Sequence, residues 1–110
     1  MISLEKLLEL HKQITQNAFN MVEIKGHDYN NKQQLNGDTL FNLRVPSLLG
    51  ICADPTQTCL MNTANKLMRL SSLRETDPKV KGESFQDSVE DSINYLIYAL
   101  AFYLEKKNES

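Results

Sequence analysis

The fold is decided by residues 83–106, which read ESFQDSVEDSINYLIYALAFYLEK in this chain of 110 residues. Two sets of side chains recur along this stretch with the period of an α-helix. The apolar set comprises Phe85, Val89, Ile93, Leu96, Leu100 and Leu104. The polar set falls within one opposite sector of about 100° and comprises Glu83, Asp87, Glu90, Asp91 and Asn94. The stretch therefore predicts a long helix with an acidic stripe, starting at Glu83 or Ser84 and running to about Lys106.

The N-terminal third of the chain shows the same helical period. Its predicted buried face consists of Leu4, Leu7, Leu8, His11, Ile14, Ala18, Met21 and Val22. This helix is predicted from Ser3 to Ile24, with Gly26 as the residue that ends it. A polar loop is predicted over residues 26–37, where almost no side chain is suited to a core. Loops of this kind are usually functional or disordered.

Two further helices are predicted in the middle of the chain. Asp38 precedes a short helix, and Pro46 is predicted to open the segment that follows it. Asp54-Pro55 starts a third long helix that ends at Thr76-Asp77-Pro78, before a linker over residues 79–82. The predicted buried stripe of that helix comprises Leu60, Ala64, Leu67, Met68 and Ser71. No stretch alternates as a strand does, so the prediction is an all-α bundle of three long helices and one short one, in a single domain over residues 1–110.

Composition narrows the function classes. The net charge is −2 and no basic run is present, so direct binding of DNA or RNA is not expected. The cysteines at positions 52 and 59 are too few for a disulfide scaffold and fit no common zinc pattern, which predicts reduced structural thiols. The longest apolar stretch is too short to cross a bilayer, and the N-terminus lacks a signal sequence. We therefore expect a cytoplasmic protein.

The acidic stripe has two interpretations. As a solvated face it would carry no function. However, its acids lack a basic partner at helical spacing, and the helix beyond them is apolar nearly all round, so the stripe also suits the wall of a cavity. There, clustered carboxylates would suit Mg²⁺. The facing helix carries a polar stripe of Asn62, Asn65, Lys66 and Arg69. This stripe would either form salt bridges with the acids or hold phosphate oxygens.

Four short motifs, in this order and spacing, resemble the nucleotide modification associated domain family of phages and bacteria. They are Lys25-x-x-Asp28-Tyr29-Asn30, Phe41-Asn42-Leu43-Arg44, Lys66-Leu67-x-Arg69-Leu70 and Glu83-Ser84-x-x-Asp87-x-x-x-Asp91-x-x-Asn94-Tyr95. The resemblance implies a small helical protein of phage or bacterial nucleotide metabolism, located in the host cytoplasm if a phage encodes it.

The segment Glu90-Asp91-x-x-Asn94-Tyr95-Leu96-Ile97 is also similar to the final motif of the all-α, MazG-like nucleoside triphosphate pyrophosphatases. Those enzymes use Mg²⁺ to hydrolyse a nucleoside or deoxynucleoside triphosphate to the monophosphate and pyrophosphate. This chain departs from their pattern, because Asn62 and Asn65 stand where an acidic pair is expected. Two-metal hydrolysis needs ligands for both ions, so the departure removes half of the expected carboxylates.

Three functional hypotheses follow from these residues. In the first, an enzyme uses Glu83, Asp87 and Asp91 in catalysis, with Glu90 as a further Mg²⁺ ligand. The residues expected to contact phosphate, base, sugar or metal are Lys66, Arg69, Arg44, Asn94, Tyr29, Asn42 and Asp28. In the second, the same cavity captures a nucleotide or a cyclic nucleotide defence signal without cleaving it. In the third, the chain is a structural or interaction protein.

The last helix also predicts self-association. Its second half carries Tyr95, Tyr98, Phe102 and Tyr103, more apolar surface than three neighbouring helices readily cover in so small a domain. We therefore expect a homo-oligomer, a dimer or a tetramer, with sites near the subunit boundaries.

Overall fold

The structure is a computed structural model that describes residues 1–31, 38–76 and 84–109, without the side chains of residues 27–31. Within these ranges the chain is helical and contains no strand, which confirms the all-α prediction. The four helices are α1 (Leu4–Asn31), α2 (Phe41–Leu48), α3 (Pro55–Leu73) and α4 (Phe85–Glu109). None of the helices in these ranges is long and apolar enough to span a membrane.

The helix starts follow the capping chemistry of the sequence. The Asp54 side chain accepts a hydrogen bond from the backbone N–H of Gln57 at 2.8 Å, and Pro55 occupies the first turn of α3. At the start of α4, the Ser84 hydroxyl accepts from the Asp87 N–H at 3.1 Å. The Asp87 carboxylate in turn accepts from the Ser84 N–H at 3.1 Å. This reciprocal pair satisfies two backbone donors that the helix itself leaves open.

Two predicted boundaries are wrong. α1 does not end at Ile24 but continues through Gly26 to Asn31, so residues 26–31 of the predicted loop are helical. A glycine inside a helix costs only about 0.5–1 kcal/mol relative to alanine, which tertiary contacts outweigh. Pro46 lies inside α2 instead of opening the next segment. The turn after α2 is made by Gly50, whose φ of 77° is a left-handed conformation suited to glycine.

Helices α3 and α4 form the centre of the fold. Cys59 of α3 is fully buried against Ala99 and Phe102 of α4, and Leu40 and Leu43 of the α2 region pack on this cluster. Further along α3, Lys66 contacts Asp91, which is earlier in α4. Because the partner number falls as the α3 number rises, the two helices run antiparallel.

Cys59 is expected to resist thiol reagents in the folded protein. Burial raises the pKa of its thiol to about 11 from an ordinary value of 9.0, so little reactive thiolate exists at pH 8. The unfolded thiol ionises at lower pH. This burial therefore favours the fold below about pH 9, and the contribution is lost as the pH rises toward 11. Ellman's reagent with peptide mass spectrometry measures the reaction, and labelling of native Cys59 at the rate of a free thiol would contradict the expectation.

On α3 and α4, many residues predicted to be buried are exposed, and other residues are buried in their place. The predicted buried residues of α3, from Leu60 to Ser71, are all exposed, and the buried positions are Thr58, Cys59 and Thr63. On α4 the predicted apolar face is largely exposed, and the buried residues are Ser88, Ser92, Asn94, Ala99 and Phe102. Helical periodicity separates two faces of a helix, but it does not say whether the apolar one meets the chain's own core.

The N-terminal half of α1 shows the same reversal. Every residue from Met1 to Gln13 is exposed, including the predicted core positions Leu4, Leu7, Leu8 and His11. The prediction holds for Ile14 and Ala18, which are buried, whereas Met21 is exposed and Val22 is half-buried. Only the middle and C-terminal parts of α1 therefore contribute to the packed interior.

Candidate functional site

A cavity of about 380 Å³ lies where α1, the α2 region, α3 and α4 meet. This volume falls within the range of about 300–1,000 Å³ that is typical of small-molecule sites. Its polar wall is made by Lys25, Asn42, Lys66, Asp91 and Asn94. Its apolar wall is made by Val22, Leu40, Leu43, Tyr95 and Tyr98. The combination of an apolar body with a few polar groups is characteristic of ligand-binding pockets.

An ion pair crosses the cavity wall from α3 to α4. The Lys66 ammonium lies 3.0 Å from an oxygen of the Asp91 carboxylate, and both side chains are partly exposed. Lys25 of α1 lines the same cavity and is exposed. The two lysines and one aspartate give these three side chains a formal charge of +1, which favours an anionic ligand.

The side chain of Asn94 is buried, and one of its two polar atoms lacks a hydrogen-bond partner among the described residues. The residue is 6% exposed, and its amide nitrogen donates to the backbone carbonyl of Ala18 at 3.1 Å. Its amide oxygen is buried and has no hydrogen-bond partner in the part of the chain that the structure describes. A buried acceptor left without a donor costs about 1–3 kcal/mol. A ligand that donates a hydrogen bond from within the cavity would remove this cost.

Two aromatic rings follow this amide along α4. The rings of Tyr95 and Tyr98 meet edge to face, with centroids 6.2 Å apart and planes at 80°. They follow Asp91 at i+4 and i+7, with Asn94 at i+3, so all four side chains project from one face of the helix. Flat aromatic surfaces beside hydrogen-bonding groups are suited to a planar heterocycle.

Two acids predicted to bind a metal accept hydrogen bonds from other side chains of the protein. The Asp87 carboxylate accepts from the Ser84 hydroxyl at 2.7 Å, as part of the α4 cap. The Glu90 carboxylate accepts from the amides of Asn17 and Gln86, each at 3.0 Å. Glu83 and the side chains of Asp28 and Tyr29 lie outside the described residues. Among the side chains that are described, no three His, Cys, Asp or Glu residues come together as a metal site.

Arg44, a predicted phosphate ligand, joins α2 to α4. Its guanidinium makes paired hydrogen bonds of 2.8 Å to both oxygens of Glu105, and a further one to Asp38. The same group lies 4.8 Å from the centre of the Phe102 ring. The hydrogen bonds to Arg44 lower the pKa of the Glu105 carboxyl, and those to Glu105 and Asp38 raise the pKa of Arg44. Arg44 is thus fixed by these partners beside the central cluster.

The other predicted residues divide between the cavity and its surroundings. Asn42, Lys66, Asp91 and Asn94 all line it. Arg69 is half-buried about one turn beyond Lys66, outside the set of lining residues. On the same helix, Asn62 is half-buried and Asn65 is exposed.

Several lining residues were not among the predicted site residues. Tyr95 and Tyr98 were assigned to an apolar surface, although their spacing from Asp91 already placed them on its helix face. Lys25 opens the first of the four family motifs, but it was not assigned to the site. Thr39 has no such signal, because only the folded structure brings it to the cavity.

Comparison of the sequence with protein-family models and with curated proteins, and of the structure with solved structures, found no match. The functional assignment therefore depends on the geometry of the cavity.

Proposed function

We propose that the protein binds a nucleotide or a cyclic nucleotide in the cavity and does not hydrolyse it. The observation that carries this proposal is the meeting of two lysines, an unsatisfied buried amide oxygen and two tyrosine rings in one cavity of ligand size. A nucleotide supplies the complement of each: anionic phosphate, a donor on the base, and a planar ring.

The ligand groups are assigned by their chemistry. Lys66 and Lys25 bind phosphate oxygens through charge-assisted hydrogen bonds. The base lies against Tyr95 or Tyr98 and donates an N–H to the Asn94 amide oxygen. Asn42, exposed at the cavity wall, is available to the sugar. In the host cytoplasm such a protein acts as a sponge that lowers the free concentration of a nucleotide signal, including one used in antiphage defence.

Hydrolysis by a nucleoside triphosphate pyrophosphohydrolase is the second candidate, and Asp91 is the observation that favours it. Its carboxylate lines the cavity, where a Mg²⁺ ion would have to bind. The described donors do not fit such an ion, because Lys66 is paired with Asp91 and the start of α4 engages Asp87.

A panel of ribonucleotides, deoxynucleotides and cyclic dinucleotides, with Mg²⁺ or with EDTA, tests the proposal. A nucleotide present at 100 times its Kd stabilises the fold by about 2.7 kcal/mol, which a thermal-shift assay detects. We expect such a shift in EDTA, and the bound nucleotide to be recovered intact. Pyrophosphate release that requires Mg²⁺ would establish the enzyme. No shift with any member of the panel would favour a structural protein.

The Asp91→Asn variant separates binding from metal-dependent hydrolysis. The substitution removes a negative charge beside the phosphate site and releases Lys66 from its ion pair. Without metal we expect the affinity for a nucleotide to rise about threefold to tenfold, which corresponds to roughly 0.7–1.4 kcal/mol. Isothermal titration calorimetry in EDTA measures the change. Asp54→Asn is the matched control, because it makes the same replacement at a helix cap outside the cavity and keeps a capping side chain. Loss of affinity in Asp91→Asn under these metal-free conditions would indicate that the carboxylate binds the ligand itself.

We also propose that the protein is a homo-oligomer, a dimer or a tetramer. Of the four aromatic residues predicted to drive self-association, Phe102 is buried, Tyr95 and Tyr98 are half-buried, and Tyr103 is exposed. The exposed leucines and methionines of α1, α3 and α4 now support self-association.

A further inference from the structure

The outer faces of α3 and α4 are apolar over most of their length. We call them the outer stripes. The α4 stripe consists of Val89, Ile93, Leu96, Leu100 and Leu104, and the α3 stripe of Leu60, Ala64, Leu67 and Met68. Leu100 is 55% exposed and Leu67 is 56% exposed, and neither stripe contains a charged residue. Contiguous apolar surface of this kind marks an interaction site in a folded protein.

Both outer stripes are turned away from α1 and α2. On α4, Asn94 contacts α1 and Phe102 packs beside α2, and both project from the side of the helix opposite Leu96 and Leu100. On α3, Cys59 packs toward Leu40 and Leu43, and Leu60 and Leu67 project about a quarter turn around the helix from it. The cavity therefore lies on the inner side of these two helices, and the stripes lie on their outer side.

The solvent-accessible surface of the chain is larger than that of a typical folded monomer of its mass. The chain exposes 8441 Å². A folded monomer of 12.6 kDa exposes about 6,200 Å², which leaves an excess of about 2,200 Å². A pair of chains that each hid less than half of that excess would already reach the total of about 1,200–2,000 Å² that a standard specific interface buries.

The interior alone is also small for a stable domain. Among the described residues, six apolar side chains are buried, namely Ile14, Ala18, Cys52, Cys59, Ala99 and Phe102. Two of them are alanines and two are cysteines, so large side chains contribute little to this core. The larger apolar residues are on the outside, which is the pattern of a domain core divided between subunits.

We infer that a second copy of this chain covers the outer stripes, with α3 and α4 of both copies packed as a four-helix interface. This inference specifies the homo-oligomer proposed above and does not depend on nucleotide binding. A two-fold interface is self-complementary, so an uncharged Leu- and Met-rich surface meets an identical surface without burying an unpaired charge. Each copy keeps its cavity on the side away from the interface.

A double variant, Leu96→Lys with Leu100→Lys, tests the location of the interface. Burying four like charges at a two-fold contact should weaken association more than 100-fold. Light scattering after size exclusion should then give the mass of one chain, 12.6 kDa, in place of at least twice that mass. The matched control is Leu48→Lys with Leu49→Lys, which changes two leucines that are each 68% exposed, at the C-terminal end of α2 and outside the outer stripes. We expect this control to remain oligomeric.

A photo-crosslinking amino acid gives a readout that does not require a disruptive substitution. Placed at position 100 it should yield a covalent dimer, and at position 48 it should not. A monomeric wild type, an oligomeric stripe variant that retains its helical circular dichroism, or equal crosslinking at both positions would overturn the inference. Nucleotide titration of the same variants reports separately on the cavity, so failure of one proposal is distinguishable from failure of the other.

Discussion

Replacing Lys66 with methionine is expected to raise the Kd of the bound nucleotide by about 10- to 150-fold. A hydrogen bond to a charged group contributes about 1.5–3 kcal/mol, and each 1.4 kcal/mol is a factor of ten in Kd. Methionine keeps most of the length and apolar stem of lysine but removes the ammonium. The substitution also leaves Asp91 without the cation that lies 3.0 Å away, so its negative charge then opposes the phosphate.

Isothermal titration calorimetry in EDTA, with the tightest nucleotide of the panel, measures this loss. Lys66→Arg should retain much of the affinity because it keeps the positive charge, although the ammonium and guanidinium differ in shape. Lys106→Met is the matched control, since it removes a lysine from the last turn of α4, outside the cavity. An unchanged Kd in Lys66→Met, with a melting temperature close to the wild type, would show that the phosphate binds elsewhere.

Phe102→Ala is expected to lower the free energy of unfolding by about 3–5 kcal/mol, the usual cost of emptying a buried phenylalanine site. Phe102 is 3% exposed and packs on Cys59 and Ala99 at the centre of the fold. Its ring also lies beneath the Arg44 guanidinium, which joins α2 to α4. The variant therefore loses both the apolar cluster and the surface on which that arginine rests.

The melting temperature should fall by about 12 °C or more, at 4–8 °C per kcal/mol for a domain near this size. Scanning calorimetry measures it, with all variants at one chain concentration. Leu48→Ala is the control, because that side chain is 68% exposed and its loss should cost no more than about 0.5 kcal/mol. If both variants melt at the same temperature, Phe102 is not part of the stabilising core.

The starts of the helices were predictable from local chemistry, whereas the wrong boundary at Gly26 reflects tertiary contacts. Asp54 and Ser84 mark helix starts because their side chains bond backbone N–H groups nearby in the sequence. Gly26 was misleading because its helix-ending tendency is worth about 1 kcal/mol or less. In the folded chain Gly26 lies beside Thr39, at the wall of the cavity that α1 helps to build.

The site was predictable in part. Helical projection placed Asp91 and Asn94 on one face of α4, and both line the cavity. The bond between Ser84 and Asp87 joins positions i and i+3 and belongs to the local capping pattern. The pairing of Asp91 with Lys66 was one of two alternatives for the facing stripe, and only the packing of α3 on α4 decides between them. Assigning buried faces failed for a related reason. An apolar stripe indicates burial, but a single sequence does not identify the surface that buries it.

Because so many leucines are on the outer surface, the stability of the folded chain depends on the concentration of the protein. When folding and association are coupled, dilution favours unfolding by mass action. Newly made chains that have not yet associated would expose apolar surface, and chaperones and proteases would act on them. Such a protein would accumulate only after its synthesis passes a threshold, so its effect in a cell would appear abruptly instead of in proportion to expression.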